Sequence, residues 1–558
     1  MVTIELNNPI KFNNEEQSAF ISFDYDAEIV EIIKTLPFRY YHVDRREWEI
    51  PVNQVKKLQD NLFIKHYEYK VVGKFKDTIT KLPRDFHFKT KPFEHQKAGV
   101  IKGLNCNRWF LGDEQGLGKT KQIIDIAVAR KIKYGYKHCL IVCGVNTLKW
   151  NWVNEIEKHS YEQSWILGQK TLKNGKTKIG SSNDKFRDLQ RIEELPYFII
   201  TNVESFRDNA FANMIQSLCK SNEINMIAAD EMHKMKNPTS QQTKGFLKAN
   251  AECDLGMPGT PLMNSPLDLY VILRWLGYES HAFYSFKNHY CVMGGYGGYE
   301  VVGFKNMEQL TQQVQTIMLR RLKDDVLDLP EKLYVDEYVD LLPNQEKVYK
   351  EVTTEIKSHI DKILLDSNPL ASLIRLRQAT GYTGILSTDI QESAKLNRMM
   401  DLVEEAVSNK QKVLIFTNWT QITDVAYRML KTSFDVSQIT GDTPDYNRQH
   451  IVDTFQNTPE IQVLIGTIGA MGTGLTLTKG TVIIFLDEPW NKALYEQAVD
   501  RAHRIGQKNK ITIYNLLTKG TIDERIHQLV YKKGKMSDAI IDGKLNGSIS
   551  ETFMYLLG

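Results

Sequence analysis

The stretch Gly112-Asp113-Glu114-Gln115-Gly116-Leu117-Gly118-Lys119-Thr120, set between an apolar strand at 108–111 and an apolar helical run, constrains this chain more than any other feature. Glycines at a strand-to-helix turn let successive backbone N–H groups face inward as a nest for an anion, and the helix start adds the positive end of its dipole. Gly116, Leu117 and Gly118 would wrap the phosphates of ATP, Lys119 would reach the β- and γ-phosphates, and the Thr120 hydroxyl would ligate Mg2+. One position departs from the phosphate-loop pattern: Asp113 stands where glycine is usual, and it is counted here with the nucleotide-binding loop.

A hydrolytic site of this kind needs carboxylates near the phosphates. Ile227-Ala228-Ala229-Asp230-Glu231-Met232-His233 reads as an apolar strand ending in two acids, expected on a strand neighbouring the loop. Asp230 would hold Mg2+ through water, and Glu231 would orient and deprotonate the attacking water. Side by side in a buried place, two such acids repel each other unless a cation joins them. Compensating positive charge is offered by the segment from Gln497 to Gln507, where Arg501 and Arg504 sit three apart and on a helix would face one side. Both are expected to act as arginine fingers on the γ-phosphate, with Arg504 the more direct.

Composition narrows the class without naming a partner. A chain of 558 residues suggests about three or four units of ~150 residues each. With 42% hydrophobic and 25% charged residues it reads as soluble and able to bury sizeable cores. A net charge of +3 is too small to diagnose a polyanion partner. Apolar runs such as 481–486 are strand-length, and Met1-Val2-Thr3-Ile4-Glu5 has no signal-peptide character, so a cytoplasmic or nuclear chain without a membrane partner is expected, in the nucleoid if the host is prokaryotic or viral. The cysteines 106, 139, 143, 219, 253 and 291 form no CxxC pair and have no histidine at zinc spacing, so reduced core thiols are expected.

Apolar periodicity divides the sequence into residues 1–84, a small α/β module with helices at 26–36 and 52–62, and two longer series in which short apolar strands alternate with helices. Such alternation implies parallel sheets with crossovers, giving lobes at 85–330 and 331–558. Polar stretches at 168–185 and 294–298 read as exposed hairpins or turns.

The order of these segments resembles the superfamily-two helicases, and more closely the Swi/Snf-type ATPases. Beside the loop and the acids stand Pro92-Phe93-Glu94-His95-Gln96, Leu140-Ile141-Val142-Cys143 leading to Asn151-Trp152, Gly259-Thr260-Pro261-Leu262-Met263-Asn264, and Met318-Leu319-Arg320-Arg321-Leu322-Lys323-Asp324-Asp325-Val326. Lys412-Val413-Leu414-Ile415-Phe416 and Gly472-Thr473-Gly474-Leu475-Thr476-Leu477-Thr478 follow. Departures are local: Gln115 for the usual Met, Met232 for Ala, and Met257-Pro258 for Leu-Thr. The resemblance implies two RecA-like lobes, an adenine-reading Gln96, and ATP-driven translocation on duplex DNA. It further implies phosphate and sugar contacts from Asn146, Thr147, Lys149, Asn202, Thr417, Asn418 and Thr473, with Gly259-Thr260-Pro261 coupling nucleotide state to grip on DNA.

At the N-terminus, residues 38–51 read as two alternating strands about the polar turn Asp44-Arg45-Arg46. With residues 21–26 they are similar to the HARP domain of annealing helicases. Arginines interleaved with aromatics suit single strands or branch points, which places Arg45 and Arg46 among the nucleic-acid contacts. The expectation is a monomeric DNA-dependent ATPase, with duplex or forked DNA as partner, that translocates on duplex DNA and remodels branched DNA, strand annealing being one route. A strand-separating helicase and a remodeller that evicts DNA-bound proteins share the same motifs. A non-enzymatic scaffold would need broken catalytic positions, and those positions are intact.

Overall fold

The computed structural model describes residues 1–11, 17–36, 38–73, 81–144, 148–171, 177–258, 265–294, 300–364, 372–472, 475–490, 492–528 and 554–557. The chain divides into two compact units, Met1–Glu114 with Gly118–Leu322, and Gln115–Leu117 with Lys323–Gly558.

In the first unit the N-terminal module has its own five-stranded sheet, ordered Tyr40–His42, Glu47–Pro51, Ser18–Ser22, Val2–Asn7, Tyr69–Val72. All neighbours are antiparallel except Val2–Asn7 and Tyr69–Val72. The helices Ala27–Lys34 and Val55–Ile64 turn Ile29, Ile32, Ile33, Leu58 and Leu62 onto Ile4, Ile21 and Ile50. Asp26 starts the first helix by accepting the N–H groups of Glu28 and Ile29. The 38–51 reading is met: the strands Tyr40–His42 and Glu47–Pro51 pair with Tyr41 opposite Trp48. The module is not isolated, because Phe38 lies in the core of the following lobe, its ring 4.6 Å from that of Tyr278.

That lobe is a seven-stranded sheet ordered Met318–Leu319, Arg108–Leu111, Cys253–Met257, Ile224–Asp230, His138–Cys143, Phe198–Asn202, Ser164–Ile166, with every neighbouring pair parallel. Strands such as His138–Cys143 are buried along their whole length, because helices cover both faces. The strand Cys253–Met257 lies between the strand entering the phosphate loop and the strand ending in Asp230, so those two are not the direct neighbours that the sequence leads one to expect. The second unit holds a six-stranded parallel sheet ordered Lys332–Val339, Ile511–Thr518, Gly480–Phe485, Lys412–Thr417, Val463–Thr467, Val436–Ile439. A boundary near 330 thus falls between the last strand of one sheet and the first of the next. Two α/β lobes of the RecA-like kind, with a small α/β module before them, are what the chain forms.

All six cysteines are free thiols, five of them buried. Among the described residues no helix is long and apolar enough to cross a membrane.

Candidate active site

The phosphate loop is shaped by backbone that only glycine adopts easily: Gly116 and Gly118 have φ of 87° and 74°, and Lys119 begins the helix Lys119–Tyr134. The Lys119 ammonium lies inside the loop, donating to the carbonyl oxygens of Asp113 at 2.7 Å and Glu114 at 3.4 Å. Thr120 follows in the first helical turn, half-buried.

Asp113, the departure from the loop pattern, has a structural cause. Its carboxylate is buried and gripped by Arg321, with Nε 2.9 Å from Oδ1 and a second guanidinium nitrogen 2.5 Å from Oδ2. Gln122 donates to the same carboxylate at 3.0 Å, and Arg321 also reaches Gln122 Oε1 at 2.7 Å and the carbonyl of His95. The main chain repeats the attachment, since Gly112 N–H donates to Leu319 O and Glu114 N–H to Arg321 O. A bidentate, charge-assisted pair is both strong and directional. Arg321 therefore ties the front of the phosphate loop to the helix carrying Gln96. Gln96 itself is buried and caps that helix, its Oε1 accepting from Phe93 N–H at 3.1 Å. Asp113 acts on the loop through Arg321 instead of facing phosphate. Sequence reading assigned Arg321 no role, although the tandem Arg320-Arg321 was a visible signal.

Across the intervening strand, Asp230 ends the buried strand Ile224–Asp230. Trp152 Nε1–H donates to its Oδ2 at 2.9 Å, and Glu231 N–H to its Oδ1 at 2.9 Å. Burial and the adjacent Glu231 charge push the Asp230 carboxyl well above the usual carboxylate range, against the pull of Trp152 and Lys119. Glu231 is buried with φ of 53°, a left-handed backbone that a non-glycine residue holds only under constraint. Gly144 allows the approach: its N–H donates to Asp230 O at 2.9 Å, and a Cβ there would lie 2.7 Å from Glu231 O. A desolvated aspartate and a loop hydroxyl are hard oxygen donors suited to Mg2+, which takes few protein ligands and fills its shell with phosphate oxygens and water. No group of three or more His, Cys, Asp or Glu arranged for a metal occurs among the described residues.

In the second unit the helix Lys492–Val499 ends before the two candidate arginines, which lie on the turn after it and not on one helical face as expected. Arg501 Nε donates to Gln497 O at 3.2 Å, and Arg504 donates to the Thr476 hydroxyl at 2.9 Å. The turn is pinned from below: Lys323 Nζ donates to Asp500 Oδ1 at 2.5 Å and His503 O at 2.9 Å, almost wholly buried. Side-chain hydrogen bonds carry these positions where helical spacing does not.

The nucleic-acid candidates separate by exposure. Arg45 and Arg46 are exposed at the hairpin tip, Arg45 paired with Glu47 at 3.2 Å. Lys149 is buried in the helix Leu148–His159, and Asn418 is half-buried with its N–H on Asp487. Asn202 is buried, its Oδ1 accepting from Ser205 and Lys185 and its amide donating to Glu204. Thr417 has no exposed surface and donates to Asp487 at 2.5 Å. Asn202, Thr417 and Asn418 alike spend side-chain hydrogen bonds within their own lobes, Asn418 Nδ2 donating to Asp487 Oδ1 and, at 3.3 Å, to the carbonyl of Glu488. Asn146, Thr147, Thr473 and the segment 259–264 lie outside the described residues.

The family model of the SNF2-related domain matches residues 93–385, and that of the helicase conserved C-terminal domain matches residues 394–506. An uncharacterized ATP-dependent helicase of Mycoplasma pneumoniae is 29% identical over 457 residues, 79% of this chain and 41% of that protein. The DNA annealing helicase and endonuclease ZRANB3 of Mus musculus is 26% identical over 481 residues, 83% of this chain and 42% of that protein. A solved SWI2/SNF2 ATPase core of Sulfolobus solfataricus in complex with dsDNA is 23% identical, covering 86% of this chain and 97% of that one, with a TM-score of 0.37. The chain spans about two fifths of the length of these curated relatives.

Proposed function

This chain belongs to the SNF2-related family, and from that premise we propose that it is a DNA-dependent ATPase, a monomeric motor that translocates on duplex DNA inside the cell, in the cytoplasm or nucleus, and remodels branched DNA. The observation that carries the reading is the pairing, in one lobe, of the glycine-shaped phosphate loop with two adjoining acids at a strand end, Asp230 half-buried and Glu231 buried. Lys119 holds the terminal phosphates, Gln96 reads the adenine, and Glu231 accepts a proton from the attacking water. Bound Mg2+, held by Thr120 and Asp230, would neutralise charge on the phosphate oxygens. Arg501 and Arg504 supply the positive charge that the transition state needs.

Duplex contacts are assigned to Lys149, Asn202, Thr417 and Asn418, with Asn146, Thr147 and Thr473, on the sequence resemblance. Such contacts are sequence-neutral and salt-sensitive. The HARP-like reading of the N-terminal module, with Arg45 and Arg46 at an exposed tip, adds fork recognition and strand annealing, and the relative ZRANB3 is a DNA annealing helicase. The test measures ATP hydrolysis side by side with blunt duplex, forked DNA, single strand and RNA. Forked and duplex DNA should stimulate most. Stimulation by single strand alone would favour a strand-separating helicase, and no stimulation by any nucleic acid would overturn the proposal.

A further inference from the structure

Between the N-terminal hairpin and the lobe it packs on, within the first unit, lies a cleft of about 430 Å³ that the ATPase reading does not use. That volume is in the range of small-ligand sites, ~300–1,000 Å³, and too small for a duplex. From this cleft we infer a binding site for one unpaired nucleotide of a DNA strand; the inference rests on the reading above that the chain acts on DNA.

The hairpin side is an aromatic and cationic wall. Tyr40 is 40% exposed, with the Lys11 ammonium 4.7 Å from its ring centroid, and Trp48 lies on the adjoining strand, half-buried. Aromatic faces of this kind stack bases without regard to identity. Arg39, anchored to Leu36 O at 2.6 Å, adds a second cation, and burial pulls its guanidinium below its ordinary value, so a phosphate that replaces lost water gains from the pair. The lobe side contributes amide and imidazole groups. Gln309 lies 3.3 Å from His289 and Gln313 accepts from the Tyr290 hydroxyl at 3.2 Å. Amides present a donor and an acceptor together, which meets the edge of any base. Glu279 is the carboxylate lining the cleft, and its Oε1 accepts the His281 N–H at 2.6 Å.

The charge count favours a strand over a free nucleotide. Two cations match one or two diester phosphates at one charge each, and the lining residues include no glycine nest or lysine-capped helix start of the kind that holds a triphosphate at Gly116–Lys119. Exposed Arg45 and Arg46 at the same hairpin's tip suit the strand's continuation.

The experiment uses the full chain, because Phe38 shares the lobe's core and a truncation would open it. A fluorescein-labelled oligothymidylate is titrated into wild type, Tyr40→Ala, Tyr40→Trp and Lys11→Ala, beside an abasic oligonucleotide of equal length. Tyr40→Ala should weaken oligothymidylate binding roughly fivefold or more, with Tyr40→Trp restoring it, and should leave abasic binding unchanged. Lys11→Ala should lower the salt slope by about one unit on both oligonucleotides. Duplex-stimulated ATP hydrolysis, measured on the same samples, should be the same in all variants. If duplex fails to stimulate even wild type, the proposed function falls. If duplex stimulates but Tyr40→Ala binds oligothymidylate as tightly as wild type, or loses abasic binding equally, this inference falls alone. Thymidine monophosphate that competes as tightly as the oligonucleotide would also overturn it, by assigning the cleft to a free nucleotide.

Discussion

Two parallel strands in this molecule lead to the same dipeptide and put it to different use. Ile224–Asp230 runs into Glu231 in the first lobe, and Gly480–Phe485 is followed by Leu486-Asp487-Glu488 in the second. In the second lobe the fold supplies the counter-charge. Arg377 lies 3.6 Å from Asp487 and donates to Glu488 O, and His527 sits 2.9 Å from Glu488 and 3.2 Å from Asp336. Lys395 pairs with Asp523 at 2.6 Å and donates to Leu486 O, while Thr417 and Asn418 close on Asp487. In the first lobe the hydrogen bonds to Asp230 come from neutral donors, an indole N–H and a backbone amide; burial pushes its carboxyl up, as it does that of Glu488 in the second lobe. An acid pair enclosed by its own lobe's cations is architecture. An aspartate met by neutral donors, as Asp230 is, keeps a capacity for an external cation, which is the difference on which the proposed chemistry rests.

The largest effect is expected in the second lobe. Arg377→Met leaves Asp487 buried beside Glu488 without its guanidinium, and breaking such a pair costs about 3–5 kcal/mol. Hydrogen exchange along Ile511–Thr518 should accelerate accordingly, and unchanged protection would mean that the network is not structural. Next comes Glu231→Gln, which should slow ATP hydrolysis ~100-fold or more while sparing ATP binding and the thermal transition. Glu488→Gln should do the reverse, and near-normal turnover in Glu231→Gln would remove that residue from the chemistry. Arg321→Lys keeps the charge on Asp113 but loses the fork, so the KM for ATP should rise by roughly tenfold with kcat less affected. A fall in kcat alone would mean that the clamp does not set the loop. The smallest effect is expected of Trp152→Phe, which removes one neutral hydrogen bond from Asp230, about 1 kcal/mol or roughly fivefold in kcat/KM. An unaltered kcat/KM would mean that Trp152 only packs.

The phosphate loop, the strand-end acids, the buried thiols, the hairpin about Arg45-Arg46 and the alternation that makes two parallel-sheet lobes were legible in the sequence, because each is written within one element or one turn. Spacing along the chain is spacing in space over such distances. Other features belong to the tertiary structure alone. Arg321 meets Asp113 across 208 residues of chain, which explains an acid where the loop pattern wants glycine. The strand Cys253–Met257 inserts between the loop and the acids because crossover connections leave sheet order open. Arg501 and Arg504 are three apart as read, yet the helix ends at Val499, since their turn is fixed by Lys323 from 177 residues away. Thr417 looks like a polar loop residue in sequence and is buried against Asp487, because burial follows from which surfaces the lobe closes over and not from residue type.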